Sequence, residues 1–174
     1  TGPVSVNPVM VEHPVPFKDG YPTEDDRYCT ASKFLIKATY DDGLEFTIRH
    51  DTDNGILFEG SEGRIFVNRG KLKGKPAEEL ATNPLPPDAI LEAWKEREPL
   101  DHVADFFASV KARREPIADV ESHHRALTTC HLGGIAARLG RTITWDPQAE
   151  KVVGDTEAQS FLSREPRAGY ATET

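Results

Sequence analysis

The chain is nearly without sulfur: two cysteines, Cys29 and Cys130, and one methionine occur in 174 residues. Two thiols so far apart in sequence exclude a disulfide framework and any paired-cysteine metal signature, and their simplest state is a pair of buried free thiols. Long apolar runs are missing as well. None approaches the ~20 residues of a membrane span, so no membrane partner is expected. Positive charge is in deficit, with 21 Lys and Arg against 29 Asp and Glu and a net charge of −8. That balance argues against nucleic acid or an anionic lipid surface as the main partner. The one basic cluster, Arg64 to Lys75, is short and crosses a turn. No G-x-G-x-x-G follows a strand, and no Gly-Lys-Ser or Gly-Lys-Thr phosphate loop is present. Gly60 and Gly63 bracket a hairpin turn before anything else, and Ser61 lacks a nucleophile elbow. Thr1-Gly2-Pro3 carries no signal-peptide pattern, so the compartment stays unknown; a soluble protein, cytoplasmic or exported to the periplasm, is expected.

What is there is organised around Asp119 to Pro147. Asp119 can cap a helix, Gly140 sits where a left-handed C-terminal residue is wanted, and helical spacing holds between them. Val120, Leu127, Ile135 and Leu139 form the predicted apolar stripe, with Cys130, His131 and Gly134 near the same face. Gly133 and Gly134 each cost about 1 kcal/mol relative to Ala inside a helix, which points to close backbone packing. After Gly140, Thr142 to Trp145 alternate as a short strand ended by Asp146-Pro147.

Upstream, Val4, Val6, Val9 and Val11 read as a strand interrupted at Pro8, one that starts as if entered from an earlier segment. Residues 13–27 are rich in Pro, Gly and acid and read as a loop. Ser32–Tyr40 and Leu44–Asp51 alternate about Asp41-Asp42-Gly43 as one hairpin. Residues 55–59 and 64–68 form a second, about Gly60 to Gly63. Four sequential strands with short turns make an antiparallel meander, and with the helices the fold class is α+β. A short helix is predicted at Pro76–Leu80, another at Asp88–Arg97, and a stronger one at Asp101–Arg113 with Val103, Phe106, Phe107 and Val110 at helical spacing. The tail from Gln148 reads as polar and extended, with one helical turn near Asp155–Phe161. Arg-Glu-Pro occurs at 97–99, 114–116 and 164–166, as punctuation at helix ends and in the tail.

The residues themselves indicate no catalytic group and no metal ligand set. His124 and His131 lie two turns apart, not at the i, i+3 or i, i+4 spacing of a helical metal pair. A packed, hydrogen-bonded histidine and a polar contact to a ligand both remain open for His124. Arg125 offers a fixed fork for a carboxylate, phosphate or sugar hydroxyl, and equally an i, i+4 ion pair with Glu121. His124 and Arg125 are therefore the candidate substrate-binding residues.

Several runs in this chain resemble the C-terminal portion of the Gfo/Idh/MocA oxidoreductases. They are Pro116-Ile117-Ala118-Asp119-Val120-Glu121, then His124-Arg125, then Cys130-His131-Leu132-Gly133, and then Arg138-Leu139-Gly140-Arg141. The likeness extends upstream through Asn54 to Ile65 and downstream through Val153-Gly154-Asp155 and Leu162-Ser163-Arg164, nearly the whole chain. The resemblance implies a two-domain NAD(P)-dependent parent acting on a sugar, polyol or related carbinol. An N-terminal Rossmann domain would hold NAD or NADP, and neither its glycine motif nor the family's Glu-Lys-Pro triplet occurs here. The family's Asp-x-x-x-His or His-His helix would precede Thr1; His123-His124 matches a later helix and is not that pair. The resemblance further implies an open antiparallel sheet with helices on one face and a homo-oligomer formed through the other sheet face.

Residues 1–147 are thus expected to be the substrate and oligomerisation domain, with 148–174 an extended tail packed on it. The piece would bind no cofactor and be inert alone. The alternative is a free-standing carbohydrate-binding or assembly module without catalysis. An apolar sheet face rimmed by charge would favour assembly, whereas grooved aromatics among Tyr21, Tyr28, Tyr40, Trp94 and Trp145 would favour sugar. A structural domain with no ligand is a third reading.

Overall fold

A computed structural model describes residues 2–170; Thr1 and the last four residues of the expected tail lie outside them. The chain divides into two compact units, one made of residues 1–51 and 120–174, the other of residues 52–119.

The first unit begins with strand β1 (Ser5–Glu12). Pro8 does not end it; the ladder shifts register between Pro8 and Met10 and continues, so the proline is absorbed at an irregularity. The acidic loop contains a small hairpin missed by composition, β2 (Phe17–Lys18) and β3 (Tyr21–Pro22), turning at Asp19 and Gly20, both with positive φ. Strands β4 (Lys33–Thr39) and β5 (Glu45–Arg49) form the first predicted hairpin. Gly43 closes its turn at φ 85°, a conformation that costs glycine no steric strain.

The second unit holds β6 (Ile56–Gly60), β7 (Gly63–Asn68) and β8 (Lys71–Lys73), a three-stranded antiparallel sheet in that order. The fold is α+β and antiparallel, as the alternation predicts, but the four predicted strands do not run on as one sheet: β4 and β5 belong to one, β6 and β7 to another. Helix α1 (Lys75–Glu78) packs on β7. Helix α2 (Ala89–Ala93) is shorter than predicted because Lys95 and Glu96 both take positive φ, which ends the helix. Helix α3 (His102–Ala112) is capped by Asp101, whose carboxylate accepts from the Val103 and Ala104 amides, and it ends on a left-handed Arg113. Its burial is inverted. Asp105 and Ser109 are buried, while Val103, Phe106, Phe107 and Val110 are exposed. Asp105 accepts from the Ile117 amide at 2.8 Å; the Ser109 hydroxyl has no partner among the described residues. The first two Arg-Glu-Pro triplets meet here, the Arg97 guanidinium donating to the Glu115 carbonyl at 2.8 Å.

Helix α4 (Val120–Leu139) returns the chain to the first unit, followed by β9 (Ile143–Asp146), β10 (Lys151–Val152) and α5 (Thr156–Ser160). The five-stranded sheet runs β10-β9-β1-β4-β5, every neighbour antiparallel. Leu132, Ile135 and Ala136 of α4 join Val6, Ile36, Ala38, Ile143 and Trp145 in one core on a single face of this sheet. The predicted stripe is therefore corrected. Its second half holds, with Ile135 buried and Leu139 packed on the core, but Val120 and Leu127 are exposed and the buried face adds Thr129, Leu132, Gly133 and Ala136. Small residues line it because the helix backbone lies close to the strands. Gly133 meets Ile36 and Ile48, whereas Gly134 faces open space. Both thiols are free, but the reading of two buried thiols fails, since Cys130 lies on the outer face of α4 and is exposed.

Candidate functional site

The first two turns of α4 place Glu121 and Arg125 one turn apart, and the Arg125 Nε donates to Glu121 Oε1 at 2.8 Å. The turn after β9 comes to meet them. Asp146 Oδ1 accepts from the Gln148 and Ala149 amides, each at 2.9 Å, folding the chain back and leaving the Pro147 carbonyl facing α4. Those two amides also hold the Asp146 carboxyl below its ordinary pKa. Arg125 Nη1 donates to the Pro147 carbonyl at 2.6 Å and lies 3.0 Å from Glu150 Oε1. The same Glu150 oxygen lies 3.0 Å from His124 Nε2. Glu150 itself has φ 52°, a left-handed conformation that non-glycine residues adopt rarely.

The structure thus brings both candidates, His124 and Arg125, onto one carboxylate, and adds Glu150, which no local motif singles out. Beside Arg125 a cleft of about 170 Å³ is lined by Gly2, Asp41, Pro147 and Gln148. Ligand pockets generally begin near ~300 Å³, so this cleft forms a wall or a corner for a sugar-sized molecule, not an enclosure. Of the guanidinium groups, Nε and Nη1 are committed within the protein, which makes Arg125 first a pin between α4 and the β9–β10 turn. His124 is the more exposed of the pair. Among the described residues no group of three or more His, Cys, Asp or Glu side chains is placed to hold a metal ion.

The five candidate aromatics separate. Trp145 is core, Tyr40 lies half-buried with its hydroxyl 3.2 Å from Thr129 Oγ1, and Trp94 is half-buried. Only Tyr21 and Tyr28 are exposed, and the Tyr21 ring lies 5.2 Å from that of Phe161.

A second surface is apolar. Opposed residues of a sheet share a face, so the pairings Ile56–Val67, Phe58–Ile65 and Val67–Leu72 put five apolar side chains on one side of the β6-β7-β8 sheet. Ile65 and Val67 are half-buried, while Ile56, Phe58 and Leu72 are 52%, 57% and 58% exposed. Glu59, Arg64, Lys71 and Lys73 have the opposite parity and lie on the other side of the sheet, with Leu57 and Phe66. The sequence hinted at this surface through the alternation of its second hairpin, but gave no sign that the face would stay uncovered.

No helix among the described residues is long and apolar enough to cross a membrane. A family model described as an oxidoreductase family, C-terminal alpha/beta domain, matches residues 8–172. No curated protein and no solved structure matches the chain.

Proposed function

Because this chain belongs to the Gfo/Idh/MocA oxidoreductase family through its C-terminal alpha/beta domain, we propose that it supplies the substrate side of an NAD(P)-dependent oxidoreductase acting on a sugar, polyol or related carbinol. Residues 1–147 serve as that domain and 148–174 as the tail that closes on it. In such chemistry the nicotinamide carries the hydride and the protein orients the carbinol carbon toward it. The cofactor, NAD or NADP, would be held by a Rossmann domain and not by residues 1–174. Alone, this chain is expected to be inert.

What supports the substrate-side reading within this chain is the meeting of His124 and Arg125 on Glu150, with Arg125 also lining a small cleft. A protonatable ring and a carboxylate at 3.0 Å can donate to and accept from vicinal hydroxyls, and Arg125 fixes both by holding the turn that bears Glu150. The test is titration of the 174-residue chain with a panel of polyols and sugars, read by NMR at the His124 ring. Shifts at His124 that Glu150→Gln weakens are expected; a ring insensitive to every member of the panel would remove these residues from the substrate wall.

The exposed apolar face of the β6-β7-β8 sheet favours assembly over sugar binding as the second role, as a homo-oligomer formed through that sheet. If catalysis belongs to no form of the protein, the same face supports the alternative of a free-standing assembly module.

A further inference from the structure

Strand β6 is an edge strand of a kind that proteins usually protect. Among the described residues its only neighbour is β7, and all five of its residues, Ile-Leu-Phe-Glu-Gly, are exposed. The other sheet edges are defended. β8 is three residues long with lysines at both ends, β10 has two residues, and β5 carries Glu45 and Arg49, paired with Lys37 and Asp51. Short length and charge are the ordinary means of blunting an edge. In β6 the single charge, Glu59, is already taken by Arg64 at 2.9 Å.

The hydrogen bonds that β6 leaves unmade follow from its hairpin. Gly60 and Gly63 flank a two-residue turn, so they form a hydrogen-bonded pair, and the alternation makes Phe58 and Ile56 bond toward β7 as well. The N–H and C=O groups of Leu57 and Glu59 therefore point away from β7, along an edge with no neighbouring strand. Water solvates them in the free chain, and another extended strand could take its place.

We propose that this strand is β6 of a second copy, paired antiparallel about a two-fold axis at Leu57. The proposal rests on the assembly reading above and gives it a geometry: six strands, β8-β7-β6 continued by β6-β7-β8 of the partner, with one apolar face running across both. Register is selected by charge and packing. An axis at Leu57 sets Ile56 opposite Phe58 of the partner subunit, apolar against apolar, and leaves Glu59 opposite a glycine. An axis at Glu59 would set two carboxylates against each other.

The unit bearing β6 also needs a partner on grounds of area. None of the buried hydrophobic residues lies within 52–119, and eleven large apolar side chains of that unit are each at least 43% exposed. Together they offer on the order of 1,000 Å² of apolar surface, against the about 800 Å² that each side of a standard interface buries. Of these side chains, edge pairing itself engages Ile56, Leu57 and Phe58 of β6, and it supplies the hydrogen bonds and the register.

The test is sedimentation of the 174-residue protein beside two variants. Glu59→Pro removes an outward amide and leaves the bonds to β7; Leu72→Lys charges the sheet face two strands away from the edge. Edge pairing predicts a dimer that Glu59→Pro weakens by about tenfold or more and Leu72→Lys leaves intact. Should Glu59→Pro disturb the hairpin itself, Leu57→Cys in a Cys29→Ser/Cys130→Ser background gives a second readout, a disulfide-linked dimer on mild oxidation. A dimer broken by Leu72→Lys but not by Glu59→Pro, with no Leu57→Cys cross-link, overturns edge pairing while the sheet-face assembly stands. A wild-type protein that stays monomeric at all concentrations overturns both.

Discussion

Gly133 on α4 packs against Ile36 on β4: a β-carbon on Gly133 would lie 3.6 Å from Ile36 Cγ2 and 3.7 Å from its Cδ1. That is ordinary van der Waals contact. The helix therefore lies far enough from the sheet for one further methyl group at Gly133, and that methyl would already be in contact with Ile36 and Ile48.

Gly133→Ala is accordingly expected to stabilise the protein. Alanine is favoured over glycine by about 1 kcal/mol inside a helix, and nothing has to move. Gly134→Ala, facing open space, should gain a similar amount. Gly133→Leu should instead destabilise, because its branch runs into Ile36 and Ile48 in a packed interior. Urea unfolding midpoints of the three variants decide this; a Gly133→Ala variant less stable than wild type would show that α4 lies closer to the strands.

Arg141 joins the start of β9 to α5. Its Nε donates to Asp155 Oδ2 at 2.8 Å and its Nη2 to Glu157 Oε2 at 2.6 Å. The Arg141 bond first, and the Ala158 amide second, hold the Asp155 carboxyl at about 2 against an ordinary 3.8. A carboxyl depressed in the folded state stabilises fully above its ordinary value, and that contribution is lost as pH falls from 3.8 to about 2. Asp155→Asn keeps an oxygen to cap α5 but loses the charge. Its melting temperature should fall below wild type at neutral pH, with the gap closing through that acid window. A gap constant with pH would rule the pair out as its cause.

Arg125 is expected to matter more for stability than His124. Arg125→Ala breaks bonds to Glu121, Glu150 and the Pro147 carbonyl, and a loss of about 1–2 kcal/mol is expected once partial exposure of the group is allowed for. Arg125→Lys should restore little, since an ammonium lacks the planar fork that reaches three acceptors. His124→Ala, at an exposed pair, should stay within about 0.5 kcal/mol of wild type. Chemical denaturation of the three variants measures this, and full rescue by lysine would contradict the pin.

Both hairpins and the ends of α3 were legible in the sequence because each rests on local chemistry: Gly43 and Gly63 in turns, Asp101 as a cap, and a left-handed Gly140 after α4. The face of α4 was not. Counting large apolar residues selects Val120 and Leu127, whereas the strands accept Thr129, Gly133 and Ala136, and only the sheet decides that. The pairing of β1 with both β4 and β9 likewise depends on contacts remote in sequence. At the candidate site, His124 and Arg125 could be read from their helix. Glu150 could not, because its place depends on a turn built by Asp146 and on a positive φ that no local motif signals.

As the proposed substrate side of an oxidoreductase, these 174 residues are expected to hold no cofactor. The most direct test is calorimetric titration of the chain with NAD and NADP, followed by an assay for nicotinamide reduction over the polyol panel. Neither cofactor binding nor turnover is expected. Turnover dependent on either cofactor would contradict that expectation.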